Sequence, residues 1–319
     1  MVRSLEERTW LPPYFVDQLG LFAQLRWDIT PELALSGGIR QEFIGLSIDD
    51  YTTFFGEDIE GGDANFDATV FNVGLVYRAS ENISLFTSFS QGFSVPGFFN
   101  LISPPDDFVV DSSFEQLSAQ KIDNYEIGIR SRWDNLQASL SGFYVYSELG
   151  AFLQPVPGGF TRLVRAPQRN YGVEAAIDWQ ASEQWRLGST ISWSEGEADS
   201  DDDGEFTALS TFDVQPWKLT AYLENQTTPT WRNRLQLLYS GNRSRGFAAG
   251  ADGVAIEDYI TLDLISQLQI GNGVLSLGIE NLLDNQYFPV FSQTVSGFDD
   301  ANYRAARGRR VSLTYSISW

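Results

Sequence analysis

Val311-Ser312-Leu313-Thr314-Tyr315-Ser316-Ile317-Ser318-Trp319 ends the chain with an unbroken alternation of large apolar and small polar side chains. Successive side chains of an extended strand point to opposite faces, so one face here is wholly apolar and the other wholly small and polar. The pattern recurs upstream. Leu19, Leu21, Ala23, Leu25 and Trp27 face away from Gln24, Arg26 and Asp28. Tyr125, Ile127, Ile129 and Trp133 alternate with Asn124, Glu126, Gly128, Arg130 and Arg132, and Tyr171, Val173, Ala175, Ile177 and Trp179 oppose Gly172, Glu174 and Asp178.

A soluble sandwich alternates in the same way, so the connections decide. Strands are expected near 18–28, 33–46, 67–78, 83–92, 121–133, 136–147, 168–179, 185–195, 215–226, 231–242, 258–270, 273–281 and 306–319. Short turns join them at Thr30-Pro31-Glu32, Ser80-Glu81-Asn82, Asp134-Asn135, Ser182-Glu183, Thr228-Pro229 and Gly271-Asn272-Gly273. The links between are long, about 15 to 28 residues, where a compact soluble domain rarely keeps a structureless loop beyond about 15. Strict alternation of short and long links is the pattern of a transmembrane β-barrel, with tight periplasmic turns and long external loops. Trp27, Trp133, Trp179, Trp185, Trp231 and Trp319 all fall at the level of the short turns, as a membrane-interface girdle requires, and Trp193 and Trp217 sit near the opposite rim.

Composition narrows the function. Cysteine and histidine are both absent, which removes disulfides, thiolate metal sites, Ser-His-Asp triads and His-ligated zinc. The net charge of −21 argues against nucleic acid, whose phosphates need clustered Lys and Arg. Aromatic residues make up 14% of the chain, with nine Trp, an excess that interfacial belts explain. The acids cluster in two inter-strand stretches, Asp49 to Asp63 and Glu195 to Glu205, both expected as solvated loops. No run of about eighteen apolar residues predicts a transmembrane helix. The opening MVRSLEERTW lacks the apolar core of a secretory signal, and the expectation is that a preceding segment is missing.

About thirteen strands make an odd count, so the first and last run in the same direction and cannot close antiparallel on each other. Open edges in lipid would cost several kcal/mol per lost backbone bond by order of magnitude, which a larger parent barrel avoids. Residues 1–17 are expected as a lead-in and 18–319 as barrel.

Five stretches resemble the C-terminal barrel region of TonB-dependent outer-membrane receptors. They are FSQGFSVPGFFNL from Phe89, KIDNYEIGIR from Lys121, RAPQRNYGVEAAIDW from Arg165, GIENLLDNQYFPV from Gly278 and the ending RGRRVSLTYSISW. The resemblance spans about Leu19 to Trp319 in the family's order. It implies a multi-pass barrel of about 22 strands in the bacterial outer membrane, plugged by an N-terminal domain that is absent from this sequence. It further implies that TonB is contacted only through that N-terminal region. The terminal Leu313, Tyr315, Ile317 and Trp319 resemble the signal read by the barrel assembly machinery; the family more often ends in Phe.

The cargo the resemblance implies is a ferric siderophore, with RAPQRNYGVE and NLLDNQYFPV most similar to hydroxamate or citrate-type receptors. Iron enters only within the chelate, and no cofactor is expected. Cobalamin, haem and glycan are alternative cargoes, although the absence of histidine weakens haem. An anionic chelate calls for cations and aromatic walls in external loops. Candidates are Phe98 and Phe99 after the fourth strand, Arg162 and Arg165 in one loop, Arg243, Arg245 and Phe247 in another, and Tyr287, Phe288, Tyr303 and Arg304 in the last. The plainer reading pairs these arginines with nearby acids and leaves the rings on the rim.

Asp199-Ser200-Asp201-Asp202-Asp203-Gly204 imitates the start of a calcium loop, but Ser210 stands where the bidentate Glu belongs. No metal site is assigned, and loose divalent bridging to lipopolysaccharide is the most the run implies. Glycines 271 and 273 read as a hairpin turn rather than a phosphate cradle. Inward Glu126, Arg130, Arg132, Glu174, Arg186, Arg232 and Arg234 read as lumen-wall charges, not acid–base machinery, so the chain is read as no enzyme. The rival classes are a passive porin, which carries shorter loops, and an outer-membrane phospholipase or protease, for which the histidine or the paired acids are missing.

Overall fold

A computed structural model describes residues 13–52, 56, 58–95, 120–156, 160–201, 203–296 and 303–317, with side chains described for all of these except 59 and 151–164. In chain order the strands are β1 (Tyr14–Asp28), β2 (Leu33–Ile48), β3 (Tyr51–Thr52), β4 (Asp58–Ile59), β5 (Gly62–Arg78), β6 (Ile83–Ser94), β7 (Gln120–Arg132) and β8 (Leu136–Val156). They continue with β9 (Phe160–Gln180), β10 (Trp185–Ala198), β11 (Thr207–Ala208), β12 (Lys218–Thr228), β13 (Trp231–Ser240), β14 (Tyr259–Ile270), β15 (Gly273–Glu280) and β16 (Arg310–Ile317). Two short helices, α1 (Arg245–Ala248) and α2 (Val290–Ser296), lie in the last two long loops.

One antiparallel sheet of 14 strands runs in the order β1-β2-β5-β6-β7-β8-β9-β10-β12-β13-β14-β15-β16, with β11 added to β10 and β3–β4 a separate hairpin. Each strand expected from the sequence is present, in order and with the expected neighbours. The first begins earlier than expected, at Tyr14. The largest difference lies between 147 and 168. Read as a loop, this segment instead prolongs β8 and β9 into a hairpin in which Gly150 pairs with Ala166 and Val156 with Phe160. A register shift between Ser147 and Gly150 explains why the alternation was hidden: a bulge inserts an unpaired residue and resets the phase of the strand.

The register fixes two faces. Trp179, Leu187, Leu223, Leu235, Leu264, Ile279 and Val311 are successive cross-strand partners and form one apolar row across seven strands. Leu313 and Ile127, each 68% exposed, lie on the same face, which is where lipid would cover them. The opposite face carries a polar ladder. Arg186 Nε and Nη2 donate to Asp178 at 2.9 and 3.0 Å, and the Tyr222 hydroxyl donates to the same carboxylate. Arg234 lies 4.0 Å over the Tyr222 ring, and Glu224 sits between Arg232 at 3.9 Å and Arg234 at 3.8 Å. Of the charges expected on the lumen wall, Arg186, Arg232 and Arg234 pair with Asp178 and Glu224, and Arg130 lies 4.3 Å over the Phe86 ring.

Aromatic rings on this inner face lie over cross-strand glycines. Phe86 pairs with Gly128, Phe143 with Gly172 and Tyr222 with Gly188. A Cβ at Gly128 would come 2.5 Å from Phe86 Cζ, and one at Gly172 would come 2.6 Å from Phe143 Cζ. The glycines of the NYEIG and NYGVE stretches thus have a steric cause: each leaves room for a neighbouring ring.

Three of the six short turns share a device. Thr30 Oγ1 accepts from the amides of Glu32 and Leu33, Ser80 Oγ from Asn82 and Ile83, and Ser182 Oγ from Gln184 and Trp185, all at 3.1–3.3 Å. A hydroxyl that caps amides two and three residues on stabilises a tight reversal. Trp27, Trp133, Trp179, Trp185 and Trp231 stand exposed next to the short turns; Trp319 lies outside the described residues. Among the described residues β1 pairs only with β2 and β16 only with β15. These two edge strands run in the same direction.

Candidate functional site

The long loops opposite the short turns hold the candidate site. Arg243, after β13, forms an isolated bridge with Ile256 and turns its guanidinium into a buried node. Nη2 donates to Glu195 Oε2 at 3.1 Å and to the Leu209 carbonyl at 2.8 Å. Nη1 donates to Thr211 Oγ1 at 3.1 Å and to Asp252 Oδ2 at 3.4 Å. Thr211 returns both its amide and its hydroxyl to Asp252, at 2.8 and 2.6 Å. The Arg243 side chain is 3% exposed and that of Asp252 1%. Its charge is enclosed by protein carboxylates rather than presented to solvent, because a buried guanidinium must find acceptors for its fork of donors.

Arg245, in α1, continues the network outward. It bonds Glu197, donates to the Tyr171 hydroxyl at 3.0 Å and lies 3.9 Å from Glu195. The Tyr171 hydroxyl, together with Glu197 and Glu195, raises the Arg245 pKa above its ordinary value. Arg169 donates to Glu197 at 2.6 Å and stacks 4.1 Å over Phe206. Phe247 follows on α1 and is exposed.

The last two loops form a second concavity. NLLDNQY begins with Asn281 in the left-handed region, φ 49°, followed by Asp284 at φ 56°. Asn281 Oδ1 accepts the Asn285 amide at 3.0 Å and its Nδ2 donates to the Asn285 carbonyl at 2.9 Å. Asn285 Nδ2 reaches back to the Ile260 carbonyl at 2.9 Å, and Asp284 Oδ1 accepts the Arg309 amide at 2.9 Å. Asn and Asp tolerate positive φ and satisfy local backbone groups, so the stretch locks the loop between β14 and the start of β16.

This lock places Tyr287 on Tyr259, ring centroids 4.3 Å apart at 18°, and Phe288 on Tyr303, 3.9 Å apart at 8°. Burial, with Tyr259 and Asp263 nearby, raises the Tyr287 pKa above the ordinary tyrosine value. Tyr287, Phe288 and Tyr303 line a cavity of about 420 Å³ with Glu257, Asp258 and Gln293 among its other walls, within the size range of small-molecule sites. Gln293 from α2 stitches it together, donating to the carbonyls of Glu257 at 3.1 Å and Phe288 at 2.9 Å while accepting the Glu257 amide at 2.8 Å.

Of the other candidates, Phe98 and Phe99 lie outside the described residues. Arg162 and Arg165 belong to the prolonged β9 instead of a loop; Arg165 Nε donates to the Leu149 carbonyl at 3.2 Å. Arg304 is exposed and is not a lining residue of the cavity. Asp199, Asp201 and Asp203 bring carboxylates within 4.8 Å of one another, but both Asp199 oxygens accept loop amides, from Asp203 at 3.1 Å and Gly204 at 3.0 Å. The sequence reading missed Glu257 and Asp258, which adjoin the start of β14, and Gln293, which α2 supplies from the loop before β16.

The family model described as TonB dependent receptor-like, beta-barrel matches residues 7–282. The chain is 27% identical to the ferric aerobactin receptor of Klebsiella pneumoniae over 96% of its own length and 45% of that protein's. It is 23% identical to the rhizobactin receptor of Rhizobium meliloti (strain 1021) over 96% of its length and 44% of the relative's. The chain therefore spans under half the length of these relatives. The copper transporter OprC superposes with a TM-score of 0.82 at 18% identity, covering 96% of this chain and 48% of that one, which shows the shared fold. On this evidence the chain belongs to the TonB-dependent receptor-like β-barrel family of the bacterial outer membrane.

Proposed function

We propose that this chain supplies barrel wall and external loops to a TonB-dependent receptor that takes up a ferric siderophore, with hydroxamate-containing chelates the favoured cargo. The observation that carries the reading is similarity along nearly the whole chain to ferric aerobactin and rhizobactin receptors, joined to external loops folded around an aromatic cavity. Coupling to TonB is assigned to parts of the receptor outside these residues. The aromatic terminal strand is assigned to the barrel assembly machinery, and the apolar face to outer-membrane lipid and lipopolysaccharide. No catalysis and no resident cofactor are proposed; iron is cargo.

Among the sequence candidates we keep Phe247, Tyr287, Phe288 and Tyr303 as ligand-facing and assign Arg243 and Arg245 to loop architecture. The test is binding of radiolabelled ferric hydroxamates and ferric citrate to outer membranes from cells producing the protein, against membranes lacking it. Saturable, protein-dependent binding of a hydroxamate chelate is expected. Absence of binding to every ferric chelate, with the protein present in the membrane, overturns the reading.

A further inference from the structure

We propose that the cavity between the β13–β14 and β15–β16 loops receives a primary ammonium group carried by the chelate. The inference rests on the siderophore reading above. Its walls have the chemistry of a cation site. Three aromatic rings, Tyr287, Phe288 and Tyr303, belong to the lining, and the negative quadrupole of an aromatic face attracts a cation. Glu257 and Asp258 add two carboxylates to the lining, and none of the lining residues is basic. The Tyr239 hydroxyl donates to Asp258 Oδ2 at 2.9 Å, which fixes that carboxylate beside the cavity.

Two of the arginines expected to attract an anionic chelate are engaged elsewhere. Arg243 and Arg245 neutralise Glu195, Glu197 and Asp252. A chain of net charge −21 also steers cations toward its loops and anions away from them. Gln293 ties the walls to each other through three backbone bonds, so little ordering remains to oppose binding.

The experiment compares a linear ferric trihydroxamate ending in a primary amine with the same chelate N-acetylated, using outer membranes from cells producing the protein. A fluorescent alkylammonium and its acetylated form are run in parallel as an iron-free probe. The amine chelate is expected to bind about tenfold more tightly than its acetylated form. Glu257→Gln with Asp258→Asn is expected to erase that preference, and both side chains are exposed, so the fold should survive the change. Equal affinity for the two chelates overturns the inference and leaves the siderophore reading standing. If neither chelate binds, the siderophore reading is decided by the wider set of ferric chelates above and the inference by the probe: an ammonium preference lost in the double variant supports the cation site, and no preference overturns it.

Discussion

Arg243 and Glu195 stand 48 residues apart in sequence and meet at 3.1 Å, Nη2 to Oε2, in a buried node between the top of β10 and the loop after β13. With Asp252 and Thr211 they hold two long loops in one arrangement, so the external surface is built on an ionic core as well as an apolar one. Among the described residues, Ala198, Leu209 and Val214 form a buried apolar cluster.

Arg243→Met is expected to loosen these loops. Removing one partner of a buried pair strands the opposite charges and costs about 3–5 kcal/mol. Hydrogen exchange should accelerate across 199–217 and 241–258 while the sheet stays protected. Unchanged exchange together with lost cargo affinity would show that Arg243 serves the ligand instead.

Gly172→Ala should destabilise the sheet by about 1–3 kcal/mol through overpacking, since the new Cβ meets Phe143 and the Trp193 carbonyl at 2.6 and 2.4 Å. At Gly142 the nearest atom is the Gly172 carbonyl oxygen at 3.8 Å. Gly142→Ala should therefore fall within about 0.5 kcal/mol of the parent. Urea unfolding followed by the loss of heat-modifiable migration on gels would rank the two; equal midpoints would discredit the ring-over-glycine account.

Ile127→Arg tests the face assignment. An arginine on the lipid face near the bilayer midplane costs about 2–4 kcal/mol. Thr190 faces the other way, bonded to Thr220 at 2.6 Å, so Thr190→Arg should leave more protein in the outer membrane than Ile127→Arg. The reverse order would invert the two faces.

Tyr287 provides a pH test. Burial, then Tyr259 and Asp263, hold its hydroxyl above the ordinary tyrosine range. A folded pKa above the unfolded value means that the contribution is intact below the unfolded pKa, about 10, and is lost as pH rises through the folded value. Near-ultraviolet dichroism of the Tyr259–Tyr287 stack should persist through about pH 10, where an exposed tyrosine is half ionised, and fade only at higher pH, and Tyr287→Phe should remove that late change. A stack that fades with ordinary tyrosine ionisation would refute it.

Much of the sheet was legible because strand patterning is local. Ile317 and Leu313 share a face whatever the rest of the chain does, and Thr30, Ser80 and Ser182 cap their turns through amides two and three residues away. The NYEIG, NYGVE and NLLDNQY stretches were legible as a resemblance, yet their causes were not, since Phe86, Phe143 and the Ile260 carbonyl come from other strands. The hairpin at 150–166 was missed where the register shift after Ser147 broke the alternation.

The sequence by itself determined the strands, their lipid and lumen faces, and the split between short turns and long loops, because a period of two depends only on neighbouring residues. Tertiary structure alone decided which charges are available. Arg243, Arg245, Arg162 and Arg165 read alike as loop cations, but a guanidinium's role depends on which distant carboxylates close around it, and that follows from how the loops pack. The cavity of Glu257, Tyr287, Phe288, Gln293 and Tyr303 was invisible for the same reason: its walls come from two loops joined only when β14, β15 and β16 lie side by side.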